Sequence, residues 1–430
     1  MQTIKIGLLG FGTVGRGVYK VLKNHREKIF NSCGAQVEIK KILVRNLARY
    51  QSTYADLSSL FTNDVHEIIN DHEISIVVEV MGGVRPVTEY VINAMKNGKN
   101  IVTANKDMIA EHGESLFKTQ RSCGVDFLFE ASVGGAIPII KALKESLAGD
   151  EINEIIAIIN GTTNYILSKM TFESTDYQEA LKEAQQNGYA ESNPTSDVEG
   201  YDAARKLAIL SSIAFNSRVR FSDVYVEGIS KITPADILYA REFGGVIKLL
   251  AVGRQTNGGI EARVHPTIIP AHHPLAAVND VFNAVFVRAK AAGELMFYGR
   301  GAGELPTASA VVGNIVEVIK NLQHKNNGRI GCTCYEEKPL RSMKEVITKY
   351  YIRLLVEDKP GVLASVAGVF GKNGVSIESV IQKRSMGENA EVVIVTHRAK
   401  EANLQETVSS LKVLPAVKQI GNVIRVEGEF

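Results

Sequence analysis

The stretch that most constrains this chain lies at its beginning. TIKIGLLG is a short apolar run that flows directly into Gly10-Phe11-Gly12-Thr13-Val14-Gly15 and then into the helical GRGVYKVLKN. Strand, glycine turn and helix stand in the order that a dinucleotide requires. The first glycine permits the tight turn, the second lets the backbone approach a pyrophosphate, and the third lets helix and strand pack closely. The N–H groups at the start of the helix then face the anion. The segment from Gly10 to Gly15, with Phe11, Gly12, Thr13 and Val14 between, is read as the cofactor turn of an α/β domain. A tight turn in an unrelated α/β domain is the alternative.

The rhythm continues. VEIKKILV is the second strand, and its end reads Val44-Arg45-Asn46, where many NAD-binding folds carry an acidic residue. A carboxylate would repel a 2′-phosphate and a guanidinium binds one, so Arg45 tilts the cofactor toward NADP, with Arg49 in reach to help and NAD the alternative. EISIVVEVMGG and NIVTANK read as strands, VTEYVINAMKNGK and MIAEHGESLFKTQRSCG as helices, and VDFLFEASVGG as the strand that closes the series. Such alternation predicts a doubly wound parallel sheet with its ligand beyond the carboxyl ends of the strands. Thr103, Ala104 and Lys106 fall at one such end, Lys106 where a nicotinamide or a substrate lies, unless it only caps a loop.

With 430 residues, the chain is long enough for two or three domains. Its formal charge of +2, from 49 basic and 47 acidic residues, gives no argument for nucleic acid or an anionic membrane. Small-molecule chemistry is the remaining expectation. Cys33, Cys123, Cys332 and Cys334 are too few for a disulfide scaffold, and MQTIKIGLLG lacks a signal peptide's basic flank, so a reducing cytoplasm is expected. Cys332 and Cys334 form a CxC pair with no second Cys/His pair nearby, and are read as loop thiols without structural zinc. No apolar run reaches the roughly 18 to 20 residues that cross a bilayer.

After Glu130 the pattern changes. EINEIIAIIN reads as a strand, GTTNYILSKM as a helix, Pro234 to Leu250 as a helix, and GIEARVHPTII, NAVFVRAK and ELMFYGRGAG as strands. Strands with few crossover helices suggest an antiparallel or mixed sheet that shapes a substrate pocket. NPTSDVEGYDAARKLAIL begins as a polar turn and ends as an apolar helix, with Asp202 and Lys206 one turn apart on a face that looks buried, so that Lys206 has either a chemical role or a structural ion pair with Asp202. Gly301-Ala302-Gly303 leads into LPTASAVVGNIVEVIK, a helix expected to return to the nucleotide domain; the GxG, with Gly303, would allow a ligand close to the backbone, although an ordinary strand-to-helix turn accounts equally well for Gly301. LQHKNNGRIGCTCYEEKPLRS is a credible linker, and the βαββαβ order after it is ferredoxin-like. The expected domains are 1–130 with 302–322 returning to it, 131–301 for substrate binding and dimerisation, a linker over 323–347, and a regulatory domain over 348–430.

Gly10 to Gly15, Thr103-Ala104-Asn105-Lys106, Glu130 to Ile137, NGTTNYIL from Asn160, and NGYAE from Asn187 through to Lys206 resemble the homoserine dehydrogenase family, collinearly over roughly three quarters of the chain. DKPGVLASVAGVFGKNGVSIESV resembles the ACT domain, a module that pairs and often binds amino acids. The resemblance implies reversible hydride transfer between L-homoserine and L-aspartate 4-semialdehyde in threonine, methionine and isoleucine biosynthesis. It also implies Lys206 as the principal acid/base, Lys106 assisting, and Glu191, Asp202 and Asp197 as the anionic wall for the substrate, although Asp197 is equally a turn residue. Gly188 would lie on the nicotinamide side, and backbone carbonyls and the Glu side chain would hold a sodium ion at Glu130, Val133, Gly135 and Ile137. L-threonine would be the effector near Asp358, Gly361 and Asn373, in a monofunctional homo-oligomer, dimer or tetramer; an ACT module used only for assembly is the alternative. Two rivals stand beside this reading. An acylating dehydrogenase would need a better-placed nucleophile than Cys123, and a sensor that has lost catalysis would not need its lysines and carboxylates together.

Overall fold

The computed structural model describes residues 2–429, with the backbone alone for residues 384–386. The chain divides into two compact units, Met1–Asn153 with Arg205–Ser222 and Asn283–Glu337, and Glu154–Ala204 with Asp223–Phe282 and Lys338–Phe430.

The first unit is built on a parallel sheet of β1 (Thr3–Leu9), β2 (Gln36–Leu43), β3 (Phe61–Thr62), β4 (Ile74–Glu79), β5 (Asn100–Thr103) and β6 (Phe127–Leu128). Their order is β3-β2-β1-β4-β5-β6, so the chain reverses direction between β1 and β4. That is the crevice in which an open α/β sheet binds its ligand. Ile6, Leu8, Ile76, Val77 and Val78 are fully buried, as strands covered on both faces must be. The helix Glu304–His324 packs into the same core through Ala308, Val311, Ile315, Val318 and Ile319. It approaches the first helix, Thr13–Asn24, so closely that a Cβ on Gly17 would overlap the Glu304 carbonyl. The doubly wound expectation therefore holds. VDFLFEASVGG, however, is a strand only over Phe127–Leu128 and then turns over Glu130–Ser132.

In the second unit the strands run, in spatial order, Ile152–Ile158, Gly245–Thr256, Gly259–Pro270, Val417–Val426, Ile347–Glu357, Asn389–Thr396 and Ile377–Met386. The sheet is mixed: Gly245–Thr256 and Gly259–Pro270 are antiparallel, whereas Gly259–Pro270 joins the last strand in parallel at Thr267↔Arg425 and Ile268↔Val426. The ferredoxin-like part has its own core of Tyr350, Ile352, Leu354, Phe370, Ile394 and Leu411. One expectation needs correcting. The helix from Pro234 ends at Glu242, and VIKLLAV continues as the strand Gly245–Thr256. Gly244, at φ +75°, closes the helix in the left-handed conformation, and the apolar run beyond it pairs on both edges. No helix among the described residues is long and apolar enough to cross a membrane.

Candidate active site

The glycine turn of the first unit is shaped by backbone contacts. Gly10 has φ +102°, and its N–H donates to the Leu43 carbonyl at 3.1 Å. A Cβ on Gly15 would overlap the Gly10 carbonyl, so the turn and the helix close on each other only because position 15 is glycine. Gly12 caps the helix without a side-chain hydrogen bond, and a Cβ there would meet open space. The first-turn N–H groups of Thr13, Val14 and Gly15 are thus available to an anion, and the helix's own first turn carries no acidic residue. Phe11 differs from its neighbours. Its ring is buried, 5.3 Å from Phe61 and 5.4 Å from Tyr54 in edge-on contacts, so it anchors the turn and offers a ligand only its backbone. Arg45 is exposed just past β2, beside Asn46, whose side chain caps the helix Leu47–Thr53 by accepting the Arg49 N–H at 3.1 Å.

Across the crevice stands Glu79, which the sequence reading did not single out. Fully buried at the end of β4, it accepts the Thr103 hydroxyl at 2.5 Å and the N–H groups of Met81 and Gly82 at 2.8 and 3.2 Å. Burial raises its pKa above the usual carboxylate range. One side chain thereby fixes the loops after both β4 and β5. A glutamate inside the apolar run IVVEV was the available signal. Asn105 completes the arrangement: it accepts the Met108 N–H at 3.0 Å, donates to the Gly83 carbonyl at 2.7 Å, and caps the helix Lys106–Cys123. Ala104, just before it, donates its N–H to the Glu79 carbonyl at 3.2 Å. Lys106 is therefore the first residue of that helix, partly buried.

Lys206 lies on the helix Tyr201–Ala214, also partly buried. The preceding residue, Arg205, pairs with Asp107 at 3.2 Å and stacks over Phe221 with 4.8 Å to the ring centroid. Since Asp107 follows Lys106, this one ion pair ties the immediate neighbours of both lysines.

The loop after β6 is buried at Glu130, Val133, Gly135 and Ile137. The Glu130 carboxylate accepts the Ile140 and Lys141 N–H groups at 2.7 and 2.9 Å, and burial pushes its pKa up to about 7. Both of its oxygens thus cap a short helix. A cation at this loop would depend on main-chain carbonyls, the chemistry that hard cations accept. Gly134 and Gly135 have φ +72° and +56°, and the Ala136 N–H donates to the Arg300 carbonyl at 3.1 Å. Gly303, at φ +125°, caps the helix Glu304–His324 in the same unit.

In the second unit the organiser is Asn160, another residue absent from the sequence-derived site. It accepts the Thr163 N–H at 2.9 Å as the cap of the helix Gly161–Glu173, and its amide donates to Asp197 at 2.7 Å and to Asp202 at 2.9 Å. Two of the three carboxylates expected at the substrate are so held by one amide. Thr162 donates to the Tyr189 carbonyl at 2.6 Å, which draws the NGYAE turn toward them. Gly188, at φ +74°, makes that turn, and Glu191 is exposed beyond it, its carbonyl accepting the Gln185 amide at 3.1 Å.

Comparison with known proteins gives this geometry its context. The homoserine dehydrogenase family model matches residues 138–316, the homoserine dehydrogenase NAD binding domain matches 10–130, and the ACT domain matches 350–416. The chain is 42% identical to the homoserine dehydrogenase of Bacillus subtilis, over 100% of this chain and 99% of that one. To that of Corynebacterium glutamicum it is 45% identical, over 99% and 96%. A crystal structure of a homoserine dehydrogenase from Thiobacillus denitrificans superposes with a TM-score of 0.94 at 41% identity, covering 99% of each chain. A hyperthermophilic archaeal homoserine dehydrogenase in complex with NADPH superposes with a TM-score of 0.63 at 25% identity, over 74% of this chain and 98% of that one. Three family models across the chain and identity of this order over its full length show that the chain belongs to the homoserine dehydrogenase family.

Proposed function

We propose that the protein catalyses reversible hydride transfer between L-homoserine and L-aspartate 4-semialdehyde, with NADP preferred over NAD. Full-length identity to the homoserine dehydrogenases is the observation that carries this reading. The nicotinamide, when bound, exchanges the hydride. In the oxidation direction, Lys206 takes the hydroxyl proton while Lys106 orients the oxygen. The Arg205–Asp107 pair limits how far the two amines can drift. Asp202, Asp197 and Glu191 hold the substrate ammonium, and Asn160 keeps Asp197 and Asp202 at one point although like charges repel. The NADP preference rests on Arg45, exposed and able to meet a 2′-phosphate.

The first test is the near-ultraviolet absorbance of reduced nicotinamide, followed with L-homoserine and NADP or NAD in parallel, each with and without L-threonine. Turnover with homoserine supports the reaction; silence with both cofactors in folded protein rejects it. Inhibition by threonine is expected through the ACT module, where Gly361 caps the helix Val362–Lys372 and Asn373 follows it. We also assign a sodium ion to the main-chain carbonyls of Glu130, Val133, Gly135 and Ile137. A thermal midpoint higher in sodium than in tetramethylammonium chloride at equal ionic strength supports that site, and identical midpoints reject it. Pairing of ACT modules makes the protein at least a dimer, which sedimentation will measure.

A further inference from the structure

Cys332 and Cys334, read above as loop thiols, stand in polar and charged surroundings. Within the first unit they line a cavity with Lys144, Arg218 and Ser212. Arg218 donates to the Cys332 sulfur at 3.2 Å, and the Cys334 N–H donates to the same sulfur at 3.4 Å. The Cys334 thiol lies within hydrogen-bonding reach of Cys332 and donates to the Ser212 carbonyl at 3.6 Å. Lys144 lies over Phe117 and Phe129, with 5.4 and 5.2 Å to the centroids, and adds a second positive charge. These donors and cations are the surroundings that favour a thiolate. The hydrogen bond from the Cys334 thiol, the Cys334 N–H and the two cations bring Cys332 down to about 5, whereas donating that hydrogen bond and burial push Cys334 up, so one sulfur is the nucleophile and the other keeps its proton.

Access and charge point to a partner. Cys332 is exposed, and both thiols open onto a groove of about 740 Å³ lined by Lys118, Arg121, Arg218 and Arg329 against the single acid Glu114. Four cations around one thiolate suit an anion. With only two sulfurs and no third ligating side chain grouped with them among the described residues, a metal is poorly served.

We propose that Cys332 and Cys334 form a thiol–disulfide exchange site for an anionic, carboxylate-bearing low-molecular-weight disulfide, with Cys332 attacking and Cys334 resolving. The Cys332 thiolate attacks one sulfur of the disulfide RSSR, forming Cys332–S–SR and expelling RS⁻. Cys334 then attacks the Cys332 sulfur, forming the Cys332–Cys334 bond and expelling a second RS⁻. The Cys334 proton goes to that leaving group, and the first thiolate takes one from water. Two protein thiols are oxidised by two electrons, and RSSR is reduced to two thiols. Closing this bond withdraws the Cys334 hydrogen bond from Ser212, on the helix that bears Lys206.

Reduced full-length protein is incubated with glutathione disulfide, quenched with acid, alkylated, digested and weighed. The expected product is a peptide with Cys332 and Cys334 joined, while Cys33 and Cys123 remain free. Cys334→Ser should stop at a mixed disulfide on Cys332, and Cys332→Ser should react at Cys334 at least about 10-fold more slowly. Cystamine, a cationic disulfide, should react about 10-fold more slowly than glutathione disulfide. Equal modification of Cys123 and Cys332, or full reactivity of Cys334 without Cys332, overturns the site; equal rates for the two disulfides overturn its preference for anions. Should a variant fail to fold, wild-type protein decides alone: at pH 6, iodoacetamide should alkylate Cys332 at least about 10-fold faster than Cys123, and equal rates overturn the proposal.

Discussion

At the scale of single residues, the reacting groups and the groups that hold them behave differently. Lys206→Ala is expected to lower kcat by about 100- to 10,000-fold, the usual range for a positioned acid/base, with NADP binding unchanged by titration. A wild-type rate would remove Lys206 from the mechanism. Arg45→Ala should narrow the NADP-to-NAD ratio of kcat/KM by about 10-fold, since a charge-assisted hydrogen bond contributes about 1.5 kcal/mol or more. Glu130 makes a prediction about pH. Burial raises it to about 7 from an ordinary 4.5, so between these values the folded protein holds a proton that the unfolded chain releases. Its contribution is complete below the unfolded pKa and fades as the pH rises through the folded one, an effect on the order of 3 kcal/mol. Urea midpoints of Glu130→Gln should therefore fall less than wild type from pH 4.5 to 7. A bound sodium ion, by favouring the carboxylate, should reduce the wild-type slope.

At the scale of elements, Asn160 has two separable duties. Asn160→Asp keeps an acceptor for the Thr163 N–H but replaces the amide donor with a third anion beside Asp197 and Asp202. We expect KM for homoserine to change at least about 10-fold while the helix cap, and hence the thermal midpoint, changes by no more than a cap's ~1 kcal/mol. An unchanged KM would mean that the amide does not organise the substrate carboxylates. Gly17→Ala should cost about 1 to 3 kcal/mol in urea unfolding, because its methyl group overlaps the Glu304 carbonyl where two helices touch. Elements with a strong local signature were legible in the sequence. GxGxxG, the alternation after it and the βαββαβ order each point to the architecture found. What misled was apolar continuity: Pro234 to Leu250 keeps one composition across Gly244, and only partner strands make its second half extended. Asn160 stayed hidden for another reason: it acts through long-range hydrogen bonds, and sequence spacing carries no trace of those, whereas Glu79 left one sign, a carboxylate inside IVVEV, but none of its partners.

At the scale of the molecule, the ferredoxin-like part is not an appendage. Arg353 reaches Asp236 at 2.8 Å and Glu391 at 3.0 Å, and Tyr239 donates to Glu391 at 2.8 Å, so the helix Pro234–Glu242 shares a buried polar network with the module's sheet. Arg263 is likewise buried between Glu261 at 2.6 Å and Glu427 at 2.5 Å. Arg353→Met should destabilise by about 3 to 5 kcal/mol, because it leaves Asp236 buried without its cation; equilibrium unfolding will read it. A chain that ends before Ile347 is expected to be less soluble than the full chain rather than simply an unregulated enzyme, since it unpairs Thr267 and Ile268 at the edge of Gly259–Pro270. A soluble, active truncation would show the opposite. The parallel pairing at Thr267↔Arg425 and Ile268↔Val426 also sets a timetable for synthesis. Tyr225–Val226 pairs with Arg263 and Val264 early, but the ribosome makes Thr267 and Ile268 long before their partner strand, Val417–Val426. Until Val417–Val426 has emerged, that stretch of edge waits for a partner not yet made, and an interrupted product is left with unpaired backbone that chaperones and proteases recognise.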